Sequence, residues 1–482
     1  MTDAQTLDPT DDHGRAAALS RRALLLGTGS AGLAIGLSGR ADALYTAMPD
    51  AGRRGPTRGY GPLVRDPRGV LDLPRGFSYR VLSREGRPMR SGGGPVPSNH
   101  DGMGSFSNRR GGGFRLVRNH EVYPDAEFRV PTAGLETTYD PGAGGGTTNL
   151  VLGSDLRLRE EYVSLGGTAI NCSGGITPWG TWLTCEETED RTGTNGYTKD
   201  HGWIFEVDPY DNRRNRDPEP LTAMGRFMHE AVAIDPRTGI AYETEDAFSG
   251  APLGSYYRFL PNKPRGGYGS LRAGGTLQAL HVPGLEDLST VREAGTTLRG
   301  IEWLDVPDPT AATTPTRAQD YPKPITRGQK LEGAWWGRAD ASAYFVSSFA
   351  RPKDGSADRH DGQVWRYDTR RNTLTLELIF VGTDGDDVYE CPDNICVSPY
   401  GGLMICEDSD GENYLLGTTA AGEPFVFARN RQATTPGNTG ELSGVSFSPD
   451  GRVMFFNVYD PGTTFAVTGP WRRRGGRRRG GR

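Results

Sequence analysis

The sequence predicts an all-β protein, a six-bladed β-propeller with loop insertions, and three observations carry that prediction. The 482 residues include 69 Gly and 34 Pro, about a fifth of the chain, which is too much backbone punctuation for long helices. Aromatic residues hold at 9% and the Gly is spread among apolar runs, so the composition favours many short strands over disorder. Finally, a strand, Pro/Gly turn, strand pattern recurs along the chain, and recurrence at a fixed period is the signature of radially repeated folds.

The chain opens with a segment unlike the rest. Ser20-Arg21-Arg22-Ala23-Leu24-Leu25-Leu26 leads into an apolar, small-residue stretch ending near Leu37, followed by Ala41-Asp42-Ala43. Paired Arg before a short apolar core and an A-x-A site has the form of a twin-arginine signal peptide spanning 1–43, and the core is too short to span a bilayer. That route exports folded chains, which suits a protein that acquires a metal before export. Residues 44–95 follow as an N-terminal extension, 96–471 as the propeller, and 472–482 as a low-complexity Arg/Gly tail expected to be disordered.

Three copies of the repeat align on a turn Pro: Gly174–Pro178 with Thr181–Glu187, Val232–Pro236 with Ile240–Asp246, and Ile395–Pro399 with Leu403–Asp408. A fourth, Val445–Gly451 with Val453–Asn457, ends in an amide instead of an acid. Glu332–Trp336 with Ala343–Ser347 is a degenerate copy, and Phe114–Asn119 reads as the second strand of another. Residues 262–300 show only loop-like and outer-strand sequence and are assigned as an insertion. Six units of this kind fit a propeller, which leaves few exposed strand edges; a pair of sandwiches or a β-helix is the alternative architecture.

Six positions before the turn Pro lie Cys172, Glu230 and Asp393, all with metal-ligand chemistry; Glu332 opens the degenerate copy and Glu441 precedes the last. If the strands that follow are innermost, these side chains converge at one mouth of the central channel. The second strands return to the same end and bring Glu186-Glu187, Glu245-Asp246, Glu407-Asp408 and Asn119-His120-Glu121 with them. So many carboxylates in a small volume require cations to neutralise them, unless each merely ends a strand and faces water. Oxygen ligands suit Ca²⁺, and a thiolate among carboxylates points to a Lewis-acidic transition metal such as iron.

Other classes lose support. The formal net charge of −5 includes seven Arg within 472–482, so the rest of the chain stands at −12 and should not bind nucleic acid. No G-x-S-x-G elbow and no P-loop Lys motif is present. The five Cys are odd in number and widely scattered, a poor disulfide framework, so at least one thiol is free or a metal ligand. Asp408-Ser409-Asp410-Gly411-Glu412-Asn413 lacks EF-hand spacing and reads as a turn, and His120 and His229 read as supporting residues beside the acids rather than as ligands.

Asn119-His120-Glu121, Asn171-Cys172-Ser173-Gly174-Gly175, Trp179–Glu187, Arg226–Glu230, Thr244–Asp246, Glu332-Gly333-Ala334, Pro392-Asp393-Asn394, Phe447–Gly451 and the ending from Asp460 through Trp471 together resemble the PhoX-type alkaline phosphatases. The resemblance runs in the family's order from about residue 95 to 471. It implies a monomeric, exported propeller whose mixed Fe³⁺ and Ca²⁺ centre hydrolyses small-molecule phosphomonoesters, with the twin-arginine export machinery as a partner and no stable membrane association. By motif, Cys172, Glu187 and Glu230 correspond to iron ligands, and Asn119, Glu121, Glu332, Asp393, Glu407 and Glu441 to calcium or bridging positions. Lys330 and Glu332 are the candidates for a direct part in the chemistry. The family carries Arg where this chain has Lys330, which keeps the charge and loses the bidentate fork. The competing reading is a propeller that uses its metals on a phosphodiester or lactone, or for calcium-stabilised binding without catalysis.

Overall fold

The structure, a computed structural model, describes residues 59–471 apart from 124, 248–251 and 382–388. The twin-arginine segment and the Arg/Gly tail lie outside the described residues. Among those residues helical structure is confined to short 3-10 turns, and no helix is long and apolar enough to cross a membrane.

Six antiparallel sheets form the blades of a β-propeller. Blade 1 runs outward from His100–Ser107 through Phe114–His120 and Gly145–Leu152 to Leu158–Thr168. Blade 2 has three strands, Asn171–Ile176, Trp182–Glu186 and Ile204–Val207. Blade 3 begins with His229–Ile234 and Ala241–Glu245, blade 4 with Leu331–Gly337 and Ser342–Ser347, blade 5 with Pro392–Val397 and Leu403–Glu407, and blade 6 with Leu442–Phe447 and Met454–Val458. The innermost strands neighbour one another in chain order, and that of blade 6 lies against that of blade 1, so the ring is closed.

Residues 262–300, read from the sequence as an insertion with loop-like and outer-strand sequence, contribute two strands to the sheets. Gly275–His281 is the fourth strand of blade 3, and Thr297–Leu298 edges blade 4. The stretch before residue 96 is likewise woven into the ring. Ser78–Arg84 is the outer strand of blade 6, and Leu71–Pro74 extends blade 5. An N-terminal strand in the blade made by the C-terminus ties the two ends of the chain together.

The core lies between blades. Tyr242, Tyr256, Phe345 and Trp365 are buried between blades 3 and 4, and Met404, Leu415, Phe427, Phe456 and Phe465 between blades 5 and 6. Cys185, Cys396 and Cys406 are buried as small core residues. Burial of this kind is the main stabilising force, on the order of 1.5–3 kcal/mol for each large apolar side chain.

Near the axis the packing is too tight for side chains. A Cβ on Gly175 would lie 1.9 Å from the carbonyl oxygen of Val232 in the next blade, and one on Gly102 would lie 2.5 Å from the Cα of Ser173. The glycines so abundant in the composition are needed at such points of contact between inner strands as well as in turns.

Candidate metal centre

In every blade the pairing of the innermost strand with the second is broken at the same end by a register shift. The shifts fall between His100 and Met103, Asn171 and Gly174, His229 and Val232, Leu331 and Ala334, Pro392 and Ile395, and Ser443 and Ser446. A β-bulge re-aims a side chain out of the normal alternation. The first residues within these six shifts are Asp101, Cys172, Glu230, Glu332, Asp393 and Gly444. Five of the six are metal-ligand types, and all five are at most 1% exposed. The second residues of the first five are Gly102, Ser173, Ala231, Gly333 and Asn394, mostly small because the neighbouring inner strand passes against them.

The second strands supply the rest. Opposite His100, Asn171, His229 and Pro392 stand His120, Glu186, Glu245 and Glu407. In the first three of these blades the residue that follows turns back toward the axis: Glu121, Glu187 and Asp246. Ligand atoms then fall within 4.8 Å of one another in four overlapping sets: Asp101, Glu121 and Cys172; Cys172, Glu187 and Glu230; Glu187, Asp246 and Glu332; Glu230, Glu332 and Asp393.

Of the residues singled out from sequence, Cys172, Glu187, Glu230, Glu121, Glu332 and Asp393 are thus brought together, and Asp101 and Asp246 join them. Glu407 and Glu441 stand outside these sets, and Asn119 bonds the backbone and an indole. The amide of Asn119 donates to the carbonyls of Cys172 (3.0 Å) and Ser173 (2.6 Å), and its oxygen accepts from the Trp182 indole at 2.9 Å. Asn119 therefore braces the bulge that carries Cys172. Glu407 points into its own blade, where its oxygens accept the backbone N–H groups of Glu390 (3.3 Å) and Tyr414 (2.9 Å), and burial pushes its carboxyl well above the usual range. Glu186 and Glu245 hold their own blades in the same way, through Gly202 and Trp203 and through Ser255 and Tyr257. Glu441 is buried just before the inner strand of blade 6 and lies in none of the four sets.

Lys330 delivers a cation to this mouth. Its Nζ lies 2.9 Å from Asp246 Oδ2 and 2.6 Å from Glu332 Oε1, and its side chain is 5% exposed. Its backbone is left-handed, φ 48°, as is that of the residues in the same place in three other blades: Asn99 at 53°, Ile170 at 49° and Cys391 at 44°. The turn into each inner strand, rather than any property of Lys, sets this conformation. His120 bonds the Ser98 carbonyl and the Thr148 hydroxyl at 2.8 Å each, and His229 the Gly225 carbonyl at 3.0 Å. Burial pushes His229 down to about 3, so it stands as a neutral strut.

The donor set fits cations. Seven carboxylates and a thiol share the mouth, and Glu121 Oε2 is buried with no hydrogen-bond donor while Oε1 accepts from Tyr123 at 3.1 Å. Buried carboxylates at such spacing are stable only when neutralised. Carboxylate oxygens suit Ca²⁺, and the single thiol is shared by two of the sets, each of which offers a softer metal a sulfur and two carboxylates.

Comparison with solved structures finds the same fold in PhoX of Pseudomonas fluorescens, determined in complex with vanadate, a transition-state analogue. It is 17% identical, with a TM-score of 0.61 over 86% of this chain and 98% of that one. A gluconolactonase from Xanthomonas campestris matches at 13% identity and a TM-score of 0.43, over 86% of this chain and 99% of that one. No curated protein sequence matches significantly. The family model described as alkaline phosphatase PhoX matches residues 58–157 and 153–462, so the chain belongs to the PhoX alkaline phosphatases, hydrolases of phosphomonoesters.

Proposed function

We propose that this protein is an exported phosphatase that hydrolyses small-molecule phosphomonoesters at a mixed iron and calcium centre in the mouth of the propeller. The observation that carries the reading is the overlap of four ligand sets, two of which share one thiol, with Lys330 at their edge. Cys172, Glu187 and Glu230 would hold iron. Glu121 and Asp101 on one side, and Asp246, Glu332 and Asp393 on the other, would hold calcium or bridge to it. Cations held there would supply charge to the phosphoryl oxygens and would activate water for attack, chemistry that needs no Ser or His nucleophile.

The chain's own residues do the rest. Five of the six bulges hold Asp101, Cys172, Glu230, Glu332 and Asp393 on the inner strands, and the ends of the second strands add Glu121, Glu187 and Asp246, so the site is organised before substrate arrives. Lys330, held between Asp246 and Glu332, exchanges one of those partners for a phosphoryl oxygen of the incoming dianion. As a point charge it neutralises without imposing the planar geometry of a guanidinium. The twin-arginine signal read over residues 1–43 supports export of the folded, metal-loaded chain.

The test is hydrolysis of p-nitrophenyl phosphate by the purified protein with Ca²⁺, before and after chelation. Activity lost on chelation and restored by calcium supports the reading. A protein that retains calcium and iron and releases no p-nitrophenol overturns it.

A further inference from the structure

Residues 306–326 leave the outermost strand of blade 3, Glu302–Asp305, and return to the blade at Arg327–Gly328, which pairs with Gly254 and Ser255 of its third strand. The segment is tied down at several points. The Arg226 backbone N–H donates to the Pro309 carbonyl at 2.8 Å, and Arg191 Nη2 to that of Ala311 at 2.5 Å. Gln319 Nε2 donates to the carbonyls of Asp308 (2.8 Å) and Thr314 (3.0 Å), the Tyr321 hydroxyl to that of Thr316 (2.8 Å), and the Thr316 hydroxyl meets that of Tyr257 at 3.1 Å.

This bracing delivers one side chain to the mouth. Arg317 Nη1 lies 2.9 Å from Glu245 Oε1 and 2.9 Å from Glu189 Oε1, and Nη2 lies 2.9 Å from Glu189 Oε2. The guanidinium is 14% exposed, and Glu245 is fully buried. Glu245 directly precedes Asp246, and Glu189 follows Glu187 by two residues. A single planar fork therefore joins the segments of two blades that carry two of the three ligands in the Glu187, Asp246 and Glu332 set. Without it, two further carboxylates would face each other where those segments meet.

We propose that residues 306–326 act as a strap and that Arg317 is a positioning residue that fixes the separation of Glu187 and Asp246, and with it the affinity of the cation they share with Glu332. The proposal rests on the metal-centre reading above. Arg suits the role because its fork fixes two carboxylates in one geometry, which the single ammonium of Lys does not.

Calcium titration of the metal-stripped protein tests it, in the wild type, R317Q, R317K and E189Q. The expected result is an affinity weaker by about 10–100-fold in R317Q and smaller losses in R317K and E189Q. The melting temperature of the stripped R317Q protein should fall, since the fully buried Glu245 loses its counter-charge, so affinities are compared at a temperature where each variant is folded. E189Q removes the more exposed partner, 21% exposed, and keeps the test open if R317Q fails to fold. Wild-type calcium affinity in folded R317Q, or in E189Q where R317Q does not fold, overturns the proposal and leaves the metal centre standing. A wild type that binds no calcium overturns both.

Discussion

Lys330→Gln removes one charge from the mouth and keeps a polar side chain of nearly the same length. Two ion pairs are lost, at 2.9 Å to Asp246 and 2.6 Å to Glu332. At an effective dielectric near 20 each Coulomb attraction is worth roughly 6 kcal/mol, most of it offset by desolvation. The net penalty for breaking a buried pair is about 3–5 kcal/mol. That loss should appear in full in metal-stripped protein, where two carboxylates lose their counter-charge, and be smaller in loaded protein, where cations neutralise them. The catalytic loss is separate. A charge aimed at the developing phosphoryl oxygens contributes about 3–4 kcal/mol to the transition state, so kcat on p-nitrophenyl phosphate should fall by about 10²–10³. Lys330→Arg should keep most of the activity, because the left-handed backbone at φ 48° treats the two side chains alike. Steady-state kinetics with metal content measured on the same samples is the assay. A Lys330→Gln protein with full metal content and kcat within about threefold of wild type would refute the clamp.

Two further outcomes follow from the fold. Gly175→Ala places a Cβ 1.9 Å from the Val232 carbonyl oxygen, so denaturant unfolding should show a loss of at least ~2 kcal/mol as the inner strands of blades 2 and 3 separate. His201 lies buried between Glu186 (2.7 Å) and Asp140 (3.3 Å); burial pulls its pKa down, but the two carboxylates outweigh it and leave the pKa raised. Its contribution is therefore complete below a pH of about 6.5, its unfolded value, and fades as pH rises through the folded pKa. His201→Gln should destabilise by about 3 kcal/mol near pH 6 and by clearly less near pH 9, and a gap that widens with pH contradicts this assignment.

The turn Pro made much of the site legible. Pro178, Pro236 and Pro399 end inner strands of equal length, so counting back six residues reaches Cys172, Glu230 and Asp393 at the other end of each strand. Asp101 stayed hidden because blade 1 turns through Asn108 to Gly113 without a Pro to align on. The acidic pairs were legible as pairs, but not which member faces the axis: Glu187 and Asp246 do, while Glu186, Glu245 and Glu407 bind backbone within their blades. The bulges that re-phase the strands leave no mark in hydrophobic periodicity. The outer-strand character of Thr276–Leu280 was legible, but not its place as a strand of blade 3, and Ser78–Arg84 was obscured because strands at the rim are partly solvated and lack the inner-strand pattern.

Metal analysis of the wild type and of Cys172→Ala, purified side by side, tests the centre most directly. Iron and calcium are expected in the wild type, and loss of iron with retention of some calcium in Cys172→Ala, since Glu230, Glu332 and Asp393 still form an all-oxygen set without the thiol. Iron retained at the wild-type level in Cys172→Ala, or a wild type purified without iron or calcium, would contradict this reading.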